Sequence, residues 1–383
     1  MDATWEGCGA DLQISSLRLK DFRNYEDVRL EGLGGLTVFV GPNAVGKTNI
    51  VEGVQMLTAL GSFRASKGAE MIRWGSDQAV LECRMASDSR DLRLVETIKE
   101  GVRTYSLNGK RKTAADVSGI LPSVMFSPDD LSLVKGAYGL RRAALDALGC
   151  QLSRNHRIIR HDYERLVRHK NSLLKSEADP VLLQSVDDLL IPTAVQLYLY
   201  RSALFANLAS RMAAAFREIS GSEDVLEASY VASWEDDAFR AQAAEAPIRA
   251  DYDKQEAAQQ MSRALAARAL EERARKRCVV GPHADRVELF VNGRNASRFA
   301  SQGQQRSVAL AWRVAELGLC RDMSGLEPVL LLDDVMSELD AVHREGLVDL
   351  LGQRTQTFIT TTDVSYFGSD IMDRAQVITL PVK

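Results

Sequence analysis

Gly41-Pro42-Asn43-Ala44-Val45-Gly46-Lys47-Thr48 decides the fold. It fits G-x-x-x-x-G-K-[ST] and stands between the two elements that pattern requires. Upstream, Leu36 to Val40 is a short apolar, β-branched-rich run that reads as a buried strand. Downstream, between Thr48 and Leu60, apolar residues at Ile50, Val51, Val54 and Leu57 keep the spacing of one helix face. The glycines let backbone N–H groups turn inward around an anion, and the helix N-terminus adds the positive end of its dipole. The pattern assigns Gly41 to Thr48, with the adjoining Asn49, to phosphate binding. Lys47 reaches the terminal phosphates and the Thr48 hydroxyl is a ligand for Mg²⁺. A chance glycine-rich turn needs neither flanking element, and both are here.

A second apolar run, Val329 to Leu332, ends in Asp333-Asp334. The C-terminal ends of strands in a parallel α/β sheet are where ligands bind. Asp333 is therefore expected to hold Mg²⁺, and Asp334 to polarise the attacking water. The two halves of this site lie near opposite ends of the chain, so a large insertion separates them. Ser301-Gln302-Gly303-Gln304 offers a small hydroxyl and a glycine ahead of a helix N-terminus. It resembles the signature motif of ABC-type ATPases, which closes on nucleotide held by a second subunit. A plain helix cap is the other reading of that segment. Ser337-Glu338-Leu339-Asp340 resembles the D-loop of the same class.

Composition narrows the rest. In 383 residues, 48 Lys and Arg stand against 52 Asp and Glu, a net charge of −4, so affinity for nucleic acid must come from a local patch. The five cysteines are scattered without a C-x-x-C pair, which argues against a disulfide framework or a zinc site and suits a reducing cytosol. The first residues carry neither a basic n-region nor an apolar h-region, and no run of eighteen apolar residues occurs. A cytoplasmic protein without membrane spans is expected.

Taken in order, alternation at Ile14, Leu17 and Leu19 predicts a strand ending in a polar turn at Asp21–Tyr25. Arg23 and Asn24, just ahead of the glycine loop, either contact nucleotide or form a surface turn. Ala79–Met85, Leu92–Ile98 and Val102–Leu107 read as strands, the last closing at the hairpin pair Asn108-Gly109. Leu121–Phe126 reads as another buried strand. From Leu140 to about Arg277 the pattern is helical, apart from a strand run at Leu226–Val231, and αβ text returns to the end, including Ala341–Leu351. The expected division is an ATPase head at 1–136 and 278–383 with a helical insertion at 137–277. The fold class is α/β, a P-loop head of ABC type whose sheet is mixed with an antiparallel edge, assembled from both chain ends.

Leu19-Lys20-Asp21-Phe22-Arg23-Asn24-Tyr25, GPNAVGKTNIVEGV, SQGQQRSVALA and LLLDDVMSELD together resemble the RecF family, in the SMC-like branch of ABC ATPases. Ser127-Pro128-Asp129-Asp130-Leu131, Arg141-Arg142 and Gly281-Pro282-His283 add to the resemblance. It implies ATP with Mg²⁺, ATP-driven homodimerisation, binding at single/double-strand DNA junctions, and partnership with RecR, with RecO and RecA in the pathway. Ala284-Asp285 stands where the family has Arg then Asp, and Tyr138-Gly139 where a proline is expected, so roles carried by those positions are open. Thr360-Thr361-Thr362 replaces the histidine of transporter motors, and Asp334 is one methylene shorter than their glutamate. Slow hydrolysis is the expectation, with ATP acting as a dimer switch.

The helix expected at Gln151–Lys175 is about 38 Å long at 1.5 Å per residue, too short for the coiled coil of an SMC ring. Arg154, Arg157, Arg160, Arg165, Arg168, Lys170 and Lys175 there face only Asp162 and Glu164, and Arg141-Arg142 lie just upstream. This is the expected DNA surface, binding phosphates without reading bases. The other reading is a solvated face whose arginine stems cover an apolar seam. Leu152, Ile159, Tyr163, Leu166, Lys170 and Leu173 mark that seam, near-heptad with one polar interruption. A P-loop kinase, a transporter motor and an SMC-like structural ATPase are the rival functions. A kinase has no use for the Ser301 motif, and a transporter motor no use for a basic arm.

Overall fold

The computed structural model describes residues 12–64, 68–337 and 355–381. Glu338, Leu339 and Asp340 of the D-loop resemblance, and the expected helix at 341–351, lie outside them. The chain forms two compact units, 1–128 with 316–383, and 129–315.

The first unit carries two sheets. Strands β1 (Gln13–Phe22), β2 (Tyr25–Glu31), β4 (Gln78–Ser87), β5 (Arg90–Lys99), β6 (Val102–Leu107) and β7 (Lys110–Lys112) make an antiparallel sheet in the order β2-β1-β4-β5-β6-β7. The β6–β7 turn is Asn108-Gly109 with φ of 49° and 76°, the left-handed pair that a two-residue hairpin needs. Strands β3 (Leu36–Val40), β8 (Ser123–Phe126), β12 (Val329–Asp333), β13 (Thr357–Thr361) and β14 (Gln376–Thr379) form a parallel sheet, ordered β14-β3-β13-β12-β8. The head is indeed α/β with antiparallel strands and assembled from both chain ends. Its antiparallel strands form a sheet of their own rather than the edge of a mixed one.

Helix α1 (Lys47–Thr58) joins the two sheets into one core. Ile50, Val51, Val54 and Leu57 are buried, in a cluster that holds Leu17, Leu19 and Leu81 of one sheet and Leu331 and Phe358 of the other. Contact with β1 is so close that a Cβ on Gly53 would lie 2.6 Å from Leu19 Cδ2. Gln356 ties the sheets at one end. Its side chain accepts from the Ile14 amide at 2.7 Å and donates to the Ile14 carbonyl at 2.8 Å.

The second unit contains α2 (Tyr138–Leu152), α3 (Arg154–Lys175), α4 (Pro180–Ser220), α5 (Lys254–Ala267) and α6 (Ala269–Arg275). It also contains a three-stranded sheet of β9 (Leu226–Val231), β10 (Arg286–Val291) and β11 (Arg294–Asn295) in the order β11-β10-β9. The expected boundary at 277 therefore moves. Six residue pairs between β10 and β9 hold 286–291 in this unit, which runs to residue 315, inside α7 (Gln302–Ser324). The insertion is α+β, not purely helical.

Helix α4, at 41 residues, is long and apolar enough to cross a membrane by length and composition. Here it packs against α2, α3, α5 and β9. Its buried Arg201 donates twice to Asp146, both bonds at 2.7 Å, and to the Pro282 carbonyl at 2.6 Å. Burial alone would raise the Asp146 pKa. The charge of Arg201, with help from His156 and Arg160, reverses this and holds the carboxyl well below its ordinary range.

Candidate nucleotide site

The glycine loop runs from the end of β3 into α1. Gly46 caps the helix with φ of 108°, and a Cβ there would lie 2.7–2.8 Å from Asn24 and from the Tyr25 hydroxyl. Glycine is required on both counts, backbone and space. Gly41 is constrained by the Leu380 carbonyl, 2.9 Å from any added Cβ, and Ala44 adopts φ of 65°. The loop leans on the β1–β2 turn: Asn24 donates to the Val45 carbonyl at 3.2 Å and the Tyr25 hydroxyl to the Gly46 carbonyl at 3.1 Å. Asn49 donates to Asn24 at 2.7 Å. Burial of the Tyr25 phenol pushes its pKa up to about 12, so it remains a donor.

Lys47 is buried, and its ammonium donates to the Gly41 and Pro42 carbonyls at 2.7 and 2.9 Å. The Thr48 hydroxyl donates to Asp333 Oδ1 at 2.9 Å, a contact spanning 285 positions of sequence. Asp333 also accepts from the Thr360 hydroxyl at 2.7 Å. Asp334 follows with φ of 51°, its amide held by the Thr360 carbonyl at 3.2 Å and hydroxyl at 3.0 Å. One threonine thus holds the Asp333 carboxylate and the Asp334 backbone. A hydroxyl and a carboxylate in contact, beside a loop whose Gly41 and Gly46 leave no room for a Cβ, are the donor set for a phosphate-bound hard divalent cation.

Arg23 is placed differently from a nucleotide contact. Its guanidinium forks onto Glu52 of α1 at 2.9 and 2.6 Å and donates to the Glu70 carbonyl at 3.0 Å. Glu52 is fully buried, accepts from Ser62 at 2.6 Å and lies 3.6 Å from Arg64. A buried carboxylate demands a counter-ion, and Arg23 supplies it. Sequence spacing does not reveal this pair: Glu52 stands next to the apolar face of α1 with no visible partner. Tyr25 and Thr360, also unassigned from sequence, lie inside stretches already singled out.

In the second unit, Ser301 and Gln304 form a reciprocal cap at the start of α7. The Ser301 amide donates to Gln304 Oε1 at 2.9 Å, and the Gln304 amide to Ser301 Oγ at 3.2 Å. Ser301 and Gly303 are exposed, and a Cβ on Gly303 would meet only Ser301 Oγ at 3.9 Å. The chain's own packing does not require that glycine.

The expected DNA surface on α3 divides. Lys170 is buried between Asp187 and Glu272, 2.6 Å from each; the helix's buried stripe is His156, Tyr163, Lys170 and Leu174, while Leu152, Ile159, Leu166 and Leu173 of the expected seam are half-buried. Arg141 is buried against the Leu133 and Val134 carbonyls, and Arg142 donates to the Asp285 carbonyl. Arg160 is drawn to Glu164 and Asp146, and Arg157 is half-buried at the end of α2. Lys170, Arg141 and Arg142 are thus committed to carboxylates and carbonyls inside the unit, and Arg157 and Arg160 are partly so. Arg154, Arg165 and Arg168 remain exposed.

Residues 13–378 match the family described as the RecF/RecN/SMC N-terminal domain. The chain is similar to the DNA replication and repair protein RecF of Heliobacterium modesticaldum, 34% identical over 374 residues covering 96% of each chain. It is similar to the same-named protein of Lactobacillus delbrueckii subsp. bulgaricus, 35% identical over 372 residues, covering 96% of this chain and 95% of that one. Among solved structures, the recombination mediator protein RecF with ATP in the RecFOR pathway superposes with a TM-score of 0.84 at 26% identity, covering 94% and 95% of the two chains. An Smc head domain from Pyrococcus furiosus shares the fold, with a TM-score of 0.51 at 15% identity over 96% and 93%.

Proposed function

The chain belongs to the RecF/RecN/SMC N-terminal domain family, on its RecF branch and among the ABC-type ATPases, and from that premise we propose an ATP-gated DNA-binding mediator of replication and recombinational repair. ATP with Mg²⁺ binds at Gly41–Thr48, with Thr48 and Asp333 as the metal's protein ligands and Lys47 on the terminal phosphates. The observation that carries this is the 2.9 Å contact between Thr48 and Asp333, which brings residues from opposite chain ends to one point. The bound metal would neutralise phosphate charge. Asp334, its backbone fixed by Thr360, orients the attacking water. With no histidine in the Thr360–Thr362 segment to share the proton, hydrolysis is slow and nucleotide acts as a switch.

The exposed Ser301-Gln302-Gly303-Gln304 turn closes on nucleotide held by a second copy, so ATP drives homodimerisation. Support comes from the glycine at 303, which the chain itself does not need. The dimer binds gapped or junction DNA through phosphates, with Arg154, Arg165 and Arg168 as the accessible part of the α3 surface. It works in the cytoplasm with RecR, and with RecO and RecA in the pathway. Fluorescence anisotropy with a gapped duplex tests this, comparing wild type with Lys47→Arg and Ser301→Arg, with and without ATP and Mg²⁺. Binding that needs ATP and is lost in both variants is expected. Binding indifferent to ATP and to Ser301 overturns the switch and leaves a P-loop enzyme acting on another substrate.

A further inference from the structure

A cavity of about 610 Å³ lies wholly within the second unit, and none of its lining residues belongs to the glycine-loop site. Its wall is assembled from the α3 residue Asn171, the segment at 237–241, both ends of α6 and the approach to β10. Five arginines reach it: Arg240, Arg268, Arg275, Arg277 and Arg286. The carboxylates there are Asp237 and Glu271, and both are engaged. Asp237 pairs with Arg268 at 3.2 Å and Glu271 with Arg275 at 3.1 Å. In a chain of net charge −4, arginines outnumber carboxylates five to two in this lining.

His283 does not offset or add to that charge. The Cys278 carbonyl, 3.1 Å away, accepts from Nε2, so Nδ1 accepts from the Tyr163 hydroxyl at 2.5 Å. Burial lowers the imidazole pKa, consistent with the neutral form. Arg286 is held over the Tyr138 ring, 5.1 Å from its centroid, and Arg240 donates to the Ser233 carbonyl at 2.9 Å. Neither has an ion-pair partner among the described residues, and Arg277 has none either. Burial, then repulsion from Arg286 and Arg268, depresses the pKa of Arg240. Two of the five arginines are thus paired, Arg268 with Asp237 and Arg275 with Glu271, while Arg240, Arg277 and Arg286 form no ion pair among the described residues.

We propose that this cavity is a second anion site, independent of the glycine loop, which takes a ligand bearing consecutive phosphates. Guanidinium forks match phosphate oxygens bidentately, and five around one concavity fit a polyanion better than a single carboxylate. The volume suits a nucleotide-sized ligand. The two acidic partners are exposed enough that exchanging them for phosphate loses little, since surface ion pairs contribute on the order of 1 kcal/mol or less. Two sources present this chemistry: a free polyphosphate or nucleotide, and the backbone of a nucleic-acid strand.

Isothermal titration of inorganic tripolyphosphate into the full chain carrying Lys47→Ala tests the site with the glycine loop disabled. Binding that weakens as salt rises is expected. It should fall by at least about tenfold when Arg275→Ala and Arg277→Ala are added. Both positions are exposed, and circular dichroism checks that the fold is kept. A single-stranded oligothymidylate that displaces tripolyphosphate identifies a strand backbone as the occupant. Failure to displace identifies a free polyphosphate ligand, and either agrees with the proposal. Absence of tripolyphosphate binding to the Lys47→Ala chain, or affinity unchanged by the two arginine substitutions in folded protein, overturns it.

Discussion

Arg23→Met separates the two roles that its position allows. Glu52 is fully buried, and its contacts are the Arg23 fork at 2.6 and 2.9 Å, Ser62 at 2.6 Å and Arg64 at 3.6 Å. Removing one member of a buried ion pair costs about 3–5 kcal/mol when nothing else answers the remaining charge. Ser62 and Arg64 stay, so the expected loss is about 2–3 kcal/mol. In a unit of this size that lowers the melting temperature by about 5–10 °C. Calorimetry of the full chain gives the readout, following the transition that ATP raises, because ligand stabilises only the unit that binds it. The double variant Arg23→Met/Glu52→Met leaves no uncompensated charge and should recover most of that loss, as apolar replacements of buried pairs often do. Its affinity for ATP should stay within about tenfold of wild type, under ~1.4 kcal/mol. The reasoning fails if Arg23→Met melts like wild type while losing ATP, for then the guanidinium serves nucleotide and not Glu52.

Gly46→Ala combines a backbone penalty of roughly 1–2 kcal/mol at positive φ with displacement of Asn24 and Tyr25, so ATP affinity read with a fluorescent analogue should drop by more than about tenfold. In an Asn24→Ala/Tyr25→Phe background the same substitution should cost less, leaving the backbone part; equal cost in both would mean that the 2.7–2.8 Å crowding is immaterial. Asp146 gives a pH test. Its folded pKa lies below the unfolded value of about 3.9, so its stabilisation is complete above that value and fades as pH falls through the folded pKa. The stability gap between wild type and Asp146→Asn should therefore stay constant from pH 7 to about 5 and narrow below about 4. A gap that widens in acid would contradict the ion-pair account.

What the sequence conveyed, and what it withheld, follows the range of the interactions. Strand, loop and helix at 36–58 were legible because hydrophobic period and glycine placement are local. The Asn108-Gly109 turn was legible for the same reason: two adjacent residues set the left-handed backbone. Asp333 was legible through a local pattern, an apolar strand ending in carboxylates. Its partnership with Thr360, however, depends on β12 and β13 lying in register, Asp333 opposite Thr360. The domain boundary was misplaced because β10 reads the same whether it pairs with a head strand or with β9. Pairing is a long-range choice that alternation alone does not encode.

Charge was the least legible property, and α3 shows why. A count of arginines and lysines along a helix treats each as solvent-facing, yet the partners that decide the matter come from elsewhere in the chain. Lys170 sits on the helix's buried stripe and meets Asp187 of α4 and Glu272 of α6. Arg160 reaches back to Asp146 of α2. Helix α6 makes the opposite case. ALEERAR looks balanced in sequence, but Glu272 turns inward to Lys170, and Glu271 is held by Arg275. The helix itself gives the cavity a balanced Glu271–Arg275 pair, and the excess positive charge comes from Arg268 and Arg277 flanking it and from Arg240 and Arg286, which arrive from segments distant in sequence. In each case an internal carboxylate decides which charged side chains are left for solvent, and the arginines that line the cavity come from segments that no contiguous stretch of sequence describes.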